Sequence, residues 1–149
     1  MLKFEIDKFK RHIDETIPLI EQLSDEFIEK DVVANGRTIG EIVLHMIRSF
    51  EYYTIGLSGN IWKAAPYNLE ANNKAEKIKE LFKKVSGDSL NRLQSLQESD
   101  LFQELTFNRK ATKLEIIQEM LEHSITHRGQ LLVYYRIVGL TPAKINYII

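Results

Sequence analysis

Residues 122–130 read Glu122-His123-Ser124-Ile125-Thr126-His127-Arg128-Gly129-Gln130 and hold two of the four histidines of this 149-residue chain. In a helix, His123 and His127 lie on one face with their Cβ atoms about 5–6 Å apart. Both imidazoles can therefore reach one metal ion at a nitrogen–metal distance of about 2.0–2.1 Å. Such a pair also occurs as a structural or solvent-exposed pair, and a catalytic metal normally has three protein ligands. A third ligand has to come from elsewhere in the chain.

The histidine pair interrupts an apolar row on a helix predicted over 112–138. Thr112 and Glu115 have the spacing of a capping box at its start, and Gly139 followed by Pro142 predicts its end. The row faces the interior if the helix packs against others. Its members are Ile116, Met120, His123 with Ser124, His127, Leu131, Tyr134 and Val138.

Three further stretches repeat apolar residues at intervals of three and four, the period of an amphipathic helix. The first helix is predicted over 2–29, with a kink before Pro18 because proline removes a backbone donor. The second is predicted over 39–57, after a turn at Asn35-Gly36 and a capping box of Thr38 and Glu41. The third is predicted over 75–97, with a bend or short break near Gly87.

The connection over 56–73 has no sustained period and is too long for a tight helix–helix turn. At about 3.3 Å per residue it can run the length of a 20-residue helix, about 30 Å. We interpret it as a crossover that makes the second and third helices parallel, with Trp62 packed against them. The segment 98–111, with Leu101, Phe102, Leu105 and Phe107, allows a short extended stretch but no sheet. The prediction is an all-α four-helix bundle in one domain, 1–149.

A third histidine, His45, lies at the edge of the apolar stripe of the second helix, between Ile42 and Ser49. A titratable side chain on an inward face costs free energy unless it finds a partner. Two interpretations stay open for His45: a core histidine hydrogen-bonded to a neighbouring helix, or the third metal ligand. His12, beside Ile13, is predicted to lie on the surface of the first helix.

His45, His123 and His127 form a set that neighbouring helices of a bundle can hold around one ion. Three neutral imidazoles suit Zn, Ni, Co, Fe or Cu rather than Ca or Mg, and they leave positions open for water or substrate. Zinc or nickel is the first expectation for this divalent ion, with iron, manganese or cobalt as alternatives.

Three polar residues lie one turn from these histidines and are candidates to orient an imidazole: Glu41, Glu119 and Gln130. Helix capping explains Glu41 equally well, and an exposed glutamate is common. Arg128 has two interpretations, an ion pair with a carboxylate or the binding of an anionic substrate. The tyrosines can line a pocket or pack in the core; they are Tyr52, Tyr53, Tyr134 and Tyr135.

The overall charge excludes several classes of partner. The net charge is −1, and no block of lysine and arginine is present, so neither nucleic acid nor an anionic membrane surface is predicted to bind. No apolar run approaches the roughly 20 residues that span a bilayer. The chain has no cysteine, which removes disulfides and thiolate ligands and fits a reducing cytoplasm. A small-molecule substrate is the remaining expectation.

Three stretches together resemble the DinB/YfiT-like superfamily: 38–45 (TIGEIVLH), 123–130 (HSITHRGQ) and 135–142 (YRIVGLTP). The resemblance covers almost the whole chain. It implies a four-helix bundle of up-down-down-up order, usually dimeric, with a divalent metal held by three histidines. Residue by residue these are His45, His123 and His127 here.

Some members of that superfamily are thiol S-transferases that use a low-molecular-weight thiol, and others are described as metal-dependent hydrolases. For this chain the resemblance implies a metal-dependent enzyme of one of these two types acting on a small molecule. A chain without cysteine has to take any thiol as a cosubstrate. The alternative is a non-catalytic metal-binding protein or a stress-related structural bundle.

Overall fold

The computed structural model describes residues 1–106 and 109–146, which are mostly helical. In chain order the elements are α1 (Leu2–Glu21), α2 (Asp25–Ile28), α3 (Ile39–Gly59), α4 (Ala75–Gln94), a 3₁₀ turn (Glu98–Phe102), β1 (Glu104–Thr106), β2 (Lys110–Thr112) and α5 (Lys113–Ile137). The long helix α3 packs against α4 and α5, and α1 packs against the same two helices. The predicted helical fold class is therefore confirmed. Among the described residues, no helix combines the length and the apolar character needed to cross a membrane.

The four long helices share one apolar core. The ring of Phe50 on α3 meets Phe9 of α1 and Phe82 of α4 edge to face, with ring centroids 5.1 and 6.0 Å apart. Tyr135 of α5 is fully buried, and its hydroxyl donates to the Leu19 carbonyl at 2.7 Å. Tyr135 thus takes the inward position that the sequence assigned to its neighbour Tyr134, because it follows the buried Leu131 by one full turn.

The single first helix predicted over 2–29 is wrong, because α1 and α2 are separate helices. The break lets Asp25 accept a hydrogen bond from the Ala75 backbone N–H at 2.8 Å, which caps the start of α4. Within the break, Gln22 accepts from the Ala143 N–H at 2.6 Å. Both contacts compensate backbone donors that would otherwise lack a partner. Pro18 lies inside α1, which continues to Glu21.

The long connection between α3 and α4, residues 60–74, contains no helix or strand. Trp62 lies directly over Gly56 of α3, where a Cβ would overlap the indole ring. The Trp62 ring also packs on Tyr52 with centroids 5.4 Å apart. The predicted anchoring of this connection by Trp62 is confirmed. Gly87, in contrast, lies within an unbroken α4, so the short break considered there is absent.

A small hairpin precedes α5, so the expectation of no sheet over 98–111 is wrong. Strands β1 and β2 pair antiparallel, with Leu105 opposite Ala111. Ala111 is buried and Leu105 half-buried, so one side of the hairpin packs on the apolar core. Burial on one face stabilises a pair of strands that is marginal by itself. Phe107, the last residue of the alternating pattern, lies outside the described residues.

His12 is buried between α1 and α5, so its predicted surface position is wrong. Only 2% of it is exposed, and its Nε2 lies 2.6 Å from Ser124 Oγ. His12 follows the buried Phe9 by three residues and precedes the buried Thr16 by four, so it belongs to the inward row of α1. Burial, together with the positive charge of Arg128, lowers the pKa of His12 to about 3.

Acid is expected to destabilise the fold through His12. Above its unfolded pKa of about 6.5 the group is neutral in both states. Below that pH the unfolded chain binds a proton that the folded chain does not, down to about pH 3. Between pH 7 and pH 5 this lowers the free energy of unfolding by about 2 kcal/mol. Urea titrations of metal-free protein should show a smaller loss in His12→Gln, and an equal loss would contradict a buried, neutral His12.

Candidate metal centre

Three histidine side chains from α3 and α5 meet between the two helices. His45 Nε2 lies 3.1 Å from His123 Nε2, which lies 3.0 Å from His127 Nε2. The rings meet edge to face with centroids 4.4 to 4.9 Å apart. His127 is buried, and the other two are half-buried. The structure therefore places together the three histidines that the sequence singled out, and each ring offers one potential ligand atom.

Helix caps fix the positions from which these side chains start. Thr38 precedes α3, and its hydroxyl accepts from the Glu41 backbone N–H at 3.2 Å. Thr112 and Glu115 form the predicted reciprocal capping box at the start of α5. With both starts fixed, the 3.6-residue repeat of α5 turns His123 and His127 toward the same side, where α3 presents His45.

All three imidazoles are neutral at pH 7. Burial is the main cause that lowers the pKa of His45, to about 4, and the positive charge of Arg37 adds to the effect. Burial likewise lowers the pKa of His123 and of His127, again with a contribution from Arg37. A neutral imidazole keeps a lone pair on one ring nitrogen, which is the form that binds a metal.

Gln130 determines which nitrogen of His127 keeps the lone pair. Its Oε1 lies 2.7 Å from His127 Nδ1. An amide oxygen only accepts, so Nδ1 carries the proton and Nε2 faces the other histidines with its lone pair. His123 Nδ1 is buried and has no hydrogen-bond partner within the described part of the chain. His127 thus has an orienting partner on its second nitrogen, which His123 lacks among the described residues.

The spacing of the ring nitrogens fits a common ion. Two nitrogen ligands that each lie about 2.0–2.1 Å from a metal, about 90–110° apart, are separated by about 2.9–3.4 Å. The separations of His123 Nε2 from the other two Nε2 atoms fall in that range, and all three ligand atoms lie within 4.8 Å of one another. Hydrogen bonds alone explain the cluster poorly, because one ring nitrogen of His123 lies close to two others and carries either one hydrogen or one lone pair. The donor set therefore fits a divalent transition metal.

The other two residues that were candidates to orient an imidazole make different contacts. The Glu41 carboxylate pairs with the Arg48 guanidinium three residues past His45. Glu119 accepts from the Tyr53 hydroxyl at 3.4 Å and from Arg109 at 3.3 Å. Glu119 therefore contacts Tyr53, whose ring centroid lies 6.4 Å from that of His123, and its negative charge partly opposes the lowering of the His123 pKa.

A cavity of about 260 Å³ opens beside His45 and His123. Its remaining lining residues are Arg48, Ser49, Tyr52, Tyr53 and Ala64, the last from the long connection. Burial, followed by the negative charge of Glu119, raises the pKa of Tyr53 to about 12. Tyr53 therefore keeps its proton at neutral pH and serves as a hydrogen-bond donor. We call this space the tyrosine cavity.

Arg128 does not point into the centre. It is 7% exposed, and its guanidinium pairs with Glu15 of α1 at 2.7 Å. The ion pair with a carboxylate is thus the interpretation that holds. Arg37 and Arg48 were not predicted from the sequence, although both positions carry a signal. Arg37 directly precedes the cap of α3, and Arg48 lies three residues after His45 on the same face.

The DinB family model matches residues 5–149. This chain belongs to the DinB family. The YjoA protein of Bacillus subtilis (strain 168), described as uncharacterized, is 27% identical over 141 residues, which cover 91% of this chain and 90% of YjoA. The resemblance noted from the three sequence stretches is thereby confirmed.

Two crystal structures have the same fold. A DinB-like protein from Bacillus cereus ATCC 10987 superposes with a TM-score of 0.80 and 20% identity, covering 95% of each chain. The DinB-like YjoA structure from Bacillus subtilis gives a TM-score of 0.78 and 21% identity, covering 96% of each chain. At these identities the likeness concerns the fold of this DinB-family protein.

Proposed function

We propose that this DinB-family protein binds one divalent metal ion through the Nε2 atoms of His45, His123 and His127. The observation that carries the proposal is the convergence of these three nitrogens at 3.0 and 3.1 Å along the cluster. Their neutral state and the orientation of His127 by Gln130 support it further. Zinc or nickel leads the proposal because both suit imidazole ligands, and iron, manganese or cobalt are the alternatives.

We further propose that the metal serves a thiol S-transferase or a hydrolase reaction on a small molecule. A bound divalent ion lowers the pKa of a coordinated water toward about 7 and deprotonates a coordinated thiol. Three protein ligands leave a position open for such a group. The tyrosine cavity adjoins His45 and His123 and can hold the substrate. The Tyr53 hydroxyl of this cavity keeps its proton at neutral pH and donates a hydrogen bond to Glu119.

The absence of cysteine supports two details of this proposal. Any thiol has to enter as a low-molecular-weight cosubstrate, because the chain has none of its own. A location in the reducing cytoplasm also agrees with this composition. The alternative function is a non-catalytic metal-binding or stress-related structural bundle, in which the ion stabilises the fold without turnover.

The helix order up-down-down-up around a four-helix bundle is also part of the proposal. The numbers of contacting residues rise together along α1 and α5, and along α3 and α4, so the helices of each pair are parallel. Along α3 and α5 the numbers change in opposite directions, so these two helices are antiparallel. The supporting pairs are His12–Ser124 and Leu19–Tyr135, Phe50–Phe82 and Thr54–Ser89, and His45–His123 and Tyr53–Glu119. The extended connection 60–74 agrees with parallel α3 and α4, because it has to return along the helices.

Metal binding is expected to depend on each of the three histidines. Untagged wild-type protein should bind one Zn²⁺ or Ni²⁺ per chain in calorimetric titrations, and alanine in place of any one of them should abolish stoichiometric binding. Gln130→Leu should weaken binding about 10–100-fold, since the partner of a ligand histidine fixes its tautomer. The matched control is His12→Gln, because His12 is the one histidine outside the cluster. Unchanged affinity and stoichiometry in His45→Ala would overturn the three-histidine site.

Catalysis is expected to need the metal. The metal-loaded protein should accelerate conjugation of a small thiol to a fluorogenic electrophile such as monochlorobimane, or cleavage of a nitrophenyl ester. Chelation and His45→Ala should both remove the acceleration. No turnover in either assay, combined with a metal-dependent rise of the melting temperature, would instead support the non-catalytic alternative.

A homodimer is proposed through the outer face of α5. Ile125, Val133 and Ile137 are 43%, 51% and 56% exposed and lie in one row at intervals of four residues, with Gly129 between the first two. Covering this row removes apolar surface from water.

Sedimentation velocity should show a dimer that Val133→Glu dissociates. Ile61→Glu, at an equally exposed site on the long connection, is the control; a monomeric parent protein would contradict the dimer.

A further inference from the structure

A second cavity, of about 410 Å³, lies at the other end of the histidine cluster. We call it the Arg37 pocket; it is lined by Asn35, Gly36, Arg37, Ile42, Gln130 and Tyr134. Gln130 connects it to the centre, because the same side chain contacts His127. The α3 residue that lines the Arg37 pocket is Ile42, which precedes His45. The α3 residues that line the tyrosine cavity are His45 and residues that follow it. The histidines thus lie between the two cavities.

Arg37 brings an uncompensated positive charge to this pocket. Within the described part of the chain Arg37 makes no ion pair or hydrogen bond, whereas four other arginines each pair with a glutamate. Those arginines are Arg11, Arg48, Arg109 and Arg128. No carboxylate lines the pocket. Gln130, which lines the same pocket, contacts His127, so this charge lies at a pocket that borders the histidine cluster.

The other polar groups of the pocket are hydrogen-bonding groups that suit an anion. Asn35 and Gln130 carry amides, and Tyr134 carries a hydroxyl. That hydroxyl lies close to Gly36, since a Cβ on Gly36 would be 3.1 Å from its oxygen. One guanidinium binds one carboxylate with two parallel hydrogen bonds. A doubly charged phosphate would leave one negative charge without a cation among the lining residues. The lining therefore favours a singly charged carboxylate.

The tyrosine cavity has the opposite character. Its cation, Arg48, is already paired with Glu41 and also donates to the Tyr67 carbonyl. Its remaining walls include Tyr52, Tyr53 and Ala64. This side of the cluster fits an aromatic or apolar group, and the Arg37 side fits a negative one.

We propose that Arg37 binds the carboxylate of a small molecule whose second group coordinates the metal, and that it thereby selects acidic over neutral ligands. This inference rests on the proposed metal centre and adds the charge class of its ligand. Arg37 contacts the ligand directly in this assignment, whereas Gln130 positions His127 and borders the same pocket.

The test uses the full-length protein loaded with Co²⁺ and two thiols of equal length, 3-mercaptopropionate and 3-mercapto-1-propanol. Thiol binding is followed by the sulfur-to-cobalt charge-transfer absorption, so no catalytic assay is needed. The wild type should bind the carboxylate about tenfold more tightly than the alcohol, the lower end for hydrogen bonds to a charged group. Arg37→Gln should abolish this preference, and Arg37→Lys should retain part of it.

The matched control is Arg136→Gln, which makes the same change of charge at an exposed position of α5 away from the cluster. Its preference for the carboxylate should equal that of the wild type. Cobalt that binds stoichiometrically, without a carboxylate preference or with the same preference in Arg37→Gln, overturns the role of Arg37 and leaves the metal centre intact. Failure of cobalt to bind overturns the metal centre and this inference together.

Discussion

The packing of α3 against α5 is the contact on which the candidate site depends, because it brings His45 to the pair His123 and His127. Neutral imidazoles gain little from lying with their nitrogens 3.0 to 3.1 Å apart unless a shared cation or proton binds them. Holding the three histidines together therefore costs the folded protein free energy. The proposed metal ion would offset that cost, since a ligand that binds the folded state alone stabilises it.

The surroundings of the cluster divide the site by polarity. On one side, the half-buried Tyr52 and Tyr53 and the compensated Arg48 leave a cavity without net charge. On the other side, Arg37 has no counter-ion within the described part of the chain, and Gln130 links its pocket to His127. A ligand with an acidic end and an apolar end would use both sides. This difference in polarity would fix the orientation of a bound ligand, which three identical imidazoles cannot do.

Helical period and cap residues predicted α3, α4 and α5 to within a few residues and placed His123 and His127 on one face. His45 stayed open between two interpretations until the family resemblance added it to the set. The prediction failed where tertiary contacts decide the local structure. The division between α1 and α2 depends on Asp25 capping α4, and the burial of His12 depends on a partner more than a hundred residues away. A role for Arg37 could not be predicted for the same reason. Its pocket borders the histidine cluster through Gln130, a residue more than ninety positions away in the sequence.

X-ray absorption spectroscopy of the metal-loaded protein tests the central claim most directly. Three imidazole ligands predict a first shell that contains about three nitrogen scatterers at about 2.0–2.1 Å. They also predict the outer-shell scattering of imidazole rings, reduced by about one third in His45→Ala. A first shell of oxygen alone without imidazole scattering, or a spectrum that His45→Ala leaves unchanged, would contradict the account.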